Sequence, residues 1–104
     1  MAKYVLAYKG GGMPETPEEG EKVTAAWGAW MGSLGASLVD GGNPFGPSTT
    51  ILADGSSTDG GSALLTGYSI ISADALAAAT ELAKGCPILM SGGTIDVYET
   101  FDVM

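Results

Sequence analysis

The segment that decides the fold is Thr66-Gly67-Tyr68-Ser69-Ile70-Ile71, followed by the alanine-rich stretch 72–85 and then by Gly92-Gly93-Thr94-Ile95-Asp96-Val97-Tyr98-Glu99. Residues 64–71 are apolar and long enough for an interior strand. The alanine-rich stretch ends with Lys84, Gly85 and Pro87, which are typical stop signals of a helix. Residues 94–102 alternate between apolar and polar, which predicts a second strand. The segment is therefore expected to form a strand, a helix and a strand.

Upstream of this segment, the sequence predicts another strand and a longer helix. Residues 3–9 alternate and place three apolar side chains on one face of a strand: Tyr4, Leu6 and Tyr8. The helix begins at Pro17, because Thr16 is a good N-cap and the acids after Pro17 lie at the positive end of the helix dipole. Its apolar residues recur at steps of three and four: Val23, Trp27, Trp30, Met31, Leu34 and Leu38. We expect this face to pack on the sheet.

A further strand and a polar loop lie between that helix and the deciding segment. Residues 49–53 are rich in β-branched side chains and alternate, which predicts a strand. Asp54-Gly55 and Asp59-Gly60-Gly61 bracket a Ser/Thr run, which indicates a hairpin loop. Gly67, inside the strand that follows, indicates a bulge or the close approach of another backbone.

The resulting order, βαββαβ, predicts an α+β fold of the ferredoxin-like type, a four-stranded antiparallel sheet with two helices on one face. The other face of such a sheet has no helix layer of its own. Tyrosine and aliphatic residues fall on both faces of the strands, so this face also needs a cover. We therefore expect a second copy of the chain to supply it, in a face-to-face homodimer.

Size and charge limit the classes of partner. The 104 residues fit one domain, residues 1–104. A net charge of −8, with four lysines and no arginine, argues against binding to nucleic acid or to anionic membranes. A single cysteine and an N-terminus without secretory features make the cytoplasm the expected compartment. A small molecule remains a possible ligand.

Six short motifs occur in order along the chain: Lys3-Tyr4-Val5-Leu6, Pro17-Glu18-Glu19, Gly42-Asn43-Pro44, Thr58-Asp59-Gly60, Gly67-Tyr68-Ser69-Ile70-Ile71 and Gly93-Thr94-Ile95-Asp96-Val97. Together they resemble the YCII-like family, also called the DGPF-domain family, of small bacterial dimeric α+β barrel proteins. The resemblance covers nearly the whole chain. It implies a dimeric barrel with a ligand cleft, and it implies that Asn43 and Gly60 are among the residues that line this cleft.

Two departures limit what the resemblance implies. The Asp-Gly-Pro-Phe motif of the family is Asp59-Gly60-Gly61-Ser62 here, so only Asp59 and Gly60 correspond. The better studied branch has a His/Asp site in its cleft, whereas this chain has no histidine. Histidine-based catalysis is therefore excluded, and the resemblance implies a fold rather than a reaction.

Besides Asn43 and Gly60, four residues are candidates for binding or catalysis. Asp59 could bind a polar group or accept a proton, although an aspartate that bonds its own backbone in an Asp-Gly turn is the more common case. Tyr8 and Tyr68 could orient a ligand through their hydroxyls, although buried tyrosines more often pack with the hydroxyl satisfied. Trp27 could line an aromatic binding site, but its position on the apolar face of the helix favours the core.

No metal and no cofactor are expected. The acids near the first helix, Glu15 to Glu21, suit the helix dipole, and no cluster of His or Cys accompanies them. The glycine-rich stretches match neither a phosphate-binding loop nor a dinucleotide fingerprint. Cys86 follows a helix C-terminus and lacks a nearby cation, so its thiol is expected to be unreactive.

Three functions remain open. The first is a cytoplasmic homodimer that binds an unidentified small molecule in a cleft between sheet and loops. The second is a cofactor-independent enzyme, similar to small barrel oxygenases and isomerases, with Asp59 as acid or base and Tyr8 or Tyr68 as hydrogen-bond donor. The third is a structural or interaction module without a ligand.

Overall fold

The computed structural model describes residues 1–11, 15–59 and 65–103. The secondary-structure elements follow in chain order: β1 (Ala2–Lys9), α1 (Pro17–Leu34), a short 3-10 turn (Gly35–Ser37), β2 (Leu38–Asp40), β3 (Thr49–Ile51), β4 (Ser57–Asp59), β5 (Leu65–Ala73), α2 (Leu76–Ala83), a second 3-10 turn (Pro87–Ser91) and β6 (Thr94–Glu99).

Four of the strands form one antiparallel sheet in the order β2-β5-β1-β6. The central strand β1 pairs with β5 on one side, where Tyr4 lies opposite Ile71, and with β6 on the other, where Tyr4 lies opposite Glu99. With two helices and this sheet, the chain has an α+β fold that is consistent with the ferredoxin-like class.

The predicted second strand of this sheet was wrong in position. The sheet takes Leu38–Asp40 as its edge strand, a segment that the sequence assigned to the end of α1. The helix ends earlier because Gly35 adopts a positive φ of 54°, and Leu38 then pairs with Ile71. Thr49–Ile51, the predicted strand, instead pairs with Ser57–Asp59 in a separate two-stranded sheet.

The first helix begins where the sequence predicts. The Thr16 side chain accepts a hydrogen bond from the Glu19 amide at 3.1 Å, and Pro17 follows at the first helical position. The Glu19 carboxylate in turn accepts a hydrogen bond from the Glu15 amide at 3.0 Å. These bonds satisfy amide groups near the start of α1 that have no partner within the helix, and so stabilise the first turn.

The core lies between one face of the sheet and the two helices. Residues of β1, β5, both helices and the second 3-10 turn form a single buried cluster: Tyr4, Leu6, Tyr8, Trp30, Leu34, Ile71, Ala73, Ala79, Ala83, Cys86 and Ile88. The Trp30 indole donates a hydrogen bond to the Leu82 carbonyl at 3.1 Å and so joins α1 to α2. Both helices therefore pack on the face that carries Tyr4, Leu6 and Tyr8.

The opposite face of the sheet, which we call the open face, consists of Lys3, Val5, Ala7, Lys9, Tyr68, Ile70, Ser72, Asp96 and Tyr98. Its central residue, Ala7, is buried, but its other side chains are partly or fully exposed. Val5 lies opposite Ile70 on one side and opposite Tyr98 on the other, so the centre of the open face is apolar. Lys9 pairs with Asp96 at 2.7 Å near one end.

The molecule is a thin slab. It measures 45 × 38 × 18 Å, with a radius of gyration of 15.2 Å. A compact domain of this length would have a radius of gyration of about 13 Å. The chain is therefore more extended than a self-contained globular domain. None of the described helices is both long and apolar enough to cross a membrane.

Candidate functional site

The residues predicted to bind a ligand lie on two different sides of the sheet. Tyr8 and Trp27 are on the side covered by the helices, whereas Tyr68 is on the open face. Asn43 is exposed in the loop that follows β2, and Asp59 is exposed at the end of β4. Gly60 lies outside the described residues. Of the residues that the structure describes, Tyr8, Trp27, Asn43, Asp59 and Tyr68 therefore do not come together at a single place within one subunit.

Tyr8 belongs to a buried chain of hydrogen bonds. Its hydroxyl donates to the Ser69 hydroxyl at 2.7 Å, and the Ser69 hydroxyl donates to the Gly41 carbonyl at 2.8 Å. Burial raises the pKa of Tyr8 far above its ordinary value. The phenol is therefore neutral at physiological pH, and its proton already has an acceptor inside the protein.

Trp27 belongs to an aromatic cluster beside Tyr8. The Tyr8 and Trp27 rings meet edge to face, with centroids 5.4 Å apart at 74°. Trp27 meets Trp30 in the same manner, at 5.8 Å and 82°. Edge-to-face pairs at such distances are typical of packed aromatic side chains. In this geometry Trp27 anchors α1 to the sheet.

Cys86 lies in the same core, next to Tyr8. Its side chain is almost completely buried, and burial raises the pKa of the thiol. The thiol therefore stays protonated at neutral pH and is shielded from reagents.

Tyr68 is the centre of an exposed aromatic site, which we call the Tyr68 platform and which consists of Tyr68, Phe45 and Asp40. The Phe45 ring stacks on the Tyr68 ring, with centroids 5.7 Å apart and an interplanar angle of 18°. The Tyr68 hydroxyl donates a long hydrogen bond of 3.4 Å to one carboxylate oxygen of Asp40. The other oxygen of Asp40 accepts a bond from the Gly42 amide at 2.8 Å.

The loop after β2 holds the platform by lying directly against β5. The Phe45 amide donates to the Thr66 carbonyl at 2.9 Å, and Pro44 forms a β-bridge with Gly67. A Cβ atom on Gly67 would be 3.2 Å from the Asn43 carbonyl oxygen, so the prediction of a close backbone approach at Gly67 is confirmed. This contact sets Phe45 above Tyr68 and places Asn43 at the same edge of the sheet.

Phe45 and Asp40 were not predicted as site residues. Phe45 stands between Pro44 and Gly46, where no periodic pattern reveals its partner. In the sequence, Asp40 precedes two glycines and is therefore typical of the end of a helix. The one available signal was the aromatic residue directly after Asn-Pro in an otherwise small and polar loop.

Asp59 lies on a hairpin that projects beyond the sheet. It pairs with Thr49 at the base of this hairpin, and none of its hydrogen bonds in the described part of the chain reaches Tyr8 or Tyr68. The turn of the hairpin is built on Asp54, whose carboxylate accepts bonds from the Ser56 hydroxyl at 2.6 Å and amide at 2.9 Å. These bonds lower the pKa of Asp54. The residues that would form the turn predicted at Asp59 lie outside the described residues.

Neither a surface depression nor a metal-binding cluster in the described chain offers the functional groups of the Tyr68 platform. An open depression on the outer side of α1 is lined by Pro17, Gly20, Glu21, Thr24 and Ala25. Its only ionisable group is Glu21, and it contains none of the predicted site residues. Within the described ranges, no three Cys, Asp or Glu side chains converge as metal ligands would.

The Tyr68 platform is therefore the place where aromatic surface, a hydroxyl and a carboxylate meet at an accessible edge of the sheet. In comparisons with known proteins, no protein-family model and no curated protein sequence matches the chain.

Proposed function

We propose that the chain works as a homodimer that binds a small planar molecule in a cleft between the open face and the loop after β2. The observation that carries this proposal is the Tyr68 platform. Phe45 and Tyr68 together present aromatic surface, and Phe45 remains 47% exposed. An exposed aromatic stack beside a carboxylate is a surface on which a ring with hydrogen-bond donors can dock.

The chemistry of the platform favours a cationic or donor-rich ligand. Asp40 offers carboxylate oxygens, and its bond to the Tyr68 hydroxyl is long enough to be exchanged for a shorter bond to a ligand. Tyrosine and phenylalanine rings also attract cations. The net charge of −8 raises the local concentration of cations around the whole molecule.

The second copy in this proposal covers the open face. Two sheets that meet through their open faces would form a dimeric α+β barrel, as the resemblance to the YCII-like family implies. The partly exposed Val5, Ile70 and Tyr98 support this arrangement, because they supply an apolar centre with polar residues around it. We place the dimer in the cytoplasm on the sequence features described above, without nucleic-acid or membrane partners.

Cofactor-independent catalysis with Asp59 as acid or base is the alternative. It requires Asp59 to approach a tyrosine hydroxyl at a bound substrate. Within one subunit, the Tyr8 hydroxyl donates a hydrogen bond to the Ser69 hydroxyl, and Asp59 lies on the projecting hairpin. Binding at the Tyr68 platform needs no such rearrangement, so we rank it first.

Native mass spectrometry of freshly purified protein tests the proposal. We expect the wild type to appear as a dimer that carries extra mass from a retained ligand. Phe45→Ala should remain a dimer and lose this mass, since it removes half of the aromatic stack. Phe101→Ala is the matched control, because Phe101 is 82% exposed and follows β6, and it should retain the ligand.

Three outcomes would contradict the proposal. A bare wild-type monomer would remove the dimer and its cleft. A dimer without added mass would favour a structural module. Retention of the ligand by Phe45→Ala would mean that the ligand is bound elsewhere, and its identity would then direct the search for the site.

A further inference from the structure

The β3–β4 hairpin, residues 49–59, is an arm that stands apart from the body of its own subunit. Every residue from Asn43 to Asp59 is exposed. The two strands pair at Thr49 with Asp59, Thr50 with Thr58 and Ile51 with Ser57. Among the described elements, β3 and β4 contact each other extensively and make no comparable contact with any other helix or strand.

An arm of this kind needs another surface to be stable. An isolated two-stranded hairpin is at best marginally stable in water, and three strands or a packing partner are usually required. This arm also exposes apolar side chains, since Ile51 is 75% and Leu52 is 45% exposed. The hairpin is therefore expected to pack on a surface that its own subunit does not provide.

The solvent-accessible area of the chain is large enough to include an interface with a second copy. The chain exposes 7037 Å². A folded monomer of this mass is expected to expose about 5,400 Å². The excess of about 1,600 Å² is roughly twice the 800 Å² or so that each partner contributes to a standard interface.

Charge makes the open face the complement of the arm. The arm carries Asp54 and Asp59 and no basic residue. On the open face Asp96 is already paired with Lys9, whereas Lys3 at the other end of β1 is exposed. The side chains that define the open face include two lysines and one acid, so in a chain with twelve acids and four lysines this face attracts rather than repels an acidic arm.

We propose that the arm of each subunit packs across the open face of its partner and buries Ile51 and Leu52 against it. This inference rests on the proposed homodimer and specifies how its two copies engage. In a two-fold dimer the contact occurs twice, once for each arm. In the proposed barrel each arm lies between the two open faces, so its aliphatic side chains meet the apolar centre formed by Val5, Ile70 and Tyr98 of the partner, while its acids lie toward Lys3.

The experiment compares the dimer dissociation constants of three proteins by sedimentation equilibrium: the wild type, Ile51→Asp and Met90→Asp. Met90 is the matched control, because it is 84% exposed and apolar but lies in the Pro87–Ser91 turn on the helix side of the sheet. We expect Ile51→Asp to raise the dissociation constant at least about tenfold, as the loss of a buried interface anchor does. Met90→Asp should leave it within about twofold, as expected of a surface substitution outside the contact. Circular dichroism confirms that both variants fold.

Hydrogen exchange provides a second measurement that needs no variant. At concentrations well above the dissociation constant, the amides of Thr50, Ile51 and Thr58 should be protected. On dilution into the monomer they should exchange rapidly, while amides of β1 and β5 remain protected.

The outcomes separate this inference from the proposed function. A wild-type dimer that Ile51→Asp leaves intact, with arm amides equally protected at all concentrations, would overturn the arm contact but leave the homodimer. Equal weakening by Ile51→Asp and Met90→Asp would also overturn it, because added negative charge alone would then explain the loss. A wild type that stays monomeric at every concentration would overturn both.

Discussion

The loop after β2 lies so close to β5 that Gly42 has no room for a side chain. Gly42 has a φ of 72°, and a Cβ atom there would overlap the Tyr68 carbonyl. Gly28, in contrast, lies inside α1 and would place a Cβ atom in open space. The two glycines therefore have different reasons to be present, and the same substitution should have opposite effects at the two positions.

We expect Gly42→Ala to lower the free energy of unfolding by about 2–5 kcal/mol, because both backbone strain and overlap must be relieved. Gly28→Ala should raise it by about 0.5–1 kcal/mol, since alanine is the better helix former. Urea denaturation monitored by circular dichroism measures both. A Gly42→Ala protein as stable as the wild type would contradict the close packing of this loop on β5.

Tyr8 predicts a specific loss of stability in alkali. Burial raises the pKa of Tyr8 in the folded protein, whereas in the unfolded chain a tyrosine titrates near pH 10. Above pH 10 the unfolded chain therefore releases a proton that the folded protein retains, which favours unfolding. The contribution is complete below pH 10 and is lost progressively above it.

The measurement is the free energy of unfolding between pH 8 and pH 11 for the wild type and for Tyr8→Phe. We expect the wild type to lose stability more steeply, by up to about 1.4 kcal/mol per pH unit from this one group. Cys86 is the neighbouring titratable group, and its raised pKa acts in the same direction, so Cys86→Ala is needed as a second background. Parallel curves for the wild type and Tyr8→Phe in both backgrounds would contradict the assignment.

At the scale of elements, local signals in the sequence predict where structure begins better than they predict which segments pair. Thr16 and Pro17 mark the start of α1 correctly, because capping involves only neighbouring residues. The apolar period of α1 runs on to Leu38, yet the helix ends at Leu34. Leu38 belongs to β2, where it lies opposite Ile71 of β5 and packs against the core, and a three-residue strand is too short to show a period of its own.

Pairing also explains why the candidate site was only partly predictable. Thr49–Ile51 is a strand, as the sequence indicates, but its partner is β4 and not the main sheet. In the main sheet Tyr68 lies opposite Ala7 and not opposite Tyr8, which places the two tyrosines on opposite faces. A shift of one residue in register would have put them together. That register depends on the whole sheet and cannot be read from either strand alone.

At the scale of the whole molecule, charge opposes the assembly that shape favours. Each copy carries a net charge of −8, so two copies repel each other while they approach. This repulsion acts over the full width of the slab, whereas the arm and the open face meet at short range. Salt therefore affects the two contributions differently, because it screens the long-range repulsion first.

We expect the dimer dissociation constant to fall several-fold as salt rises from about 10 mM, where the Debye length is about 30 Å, to about 150 mM, where it is about 8 Å. Sedimentation equilibrium in a series of sodium chloride concentrations measures this change. Lys3→Ser is a useful companion, because it makes each copy more acidic and removes the exposed cation of the open face, so its association should depend on salt more strongly. If wild-type association instead weakened with salt, local attraction at the interface would outweigh the net repulsion. The acidic composition would then contribute to recognition between subunits rather than oppose it.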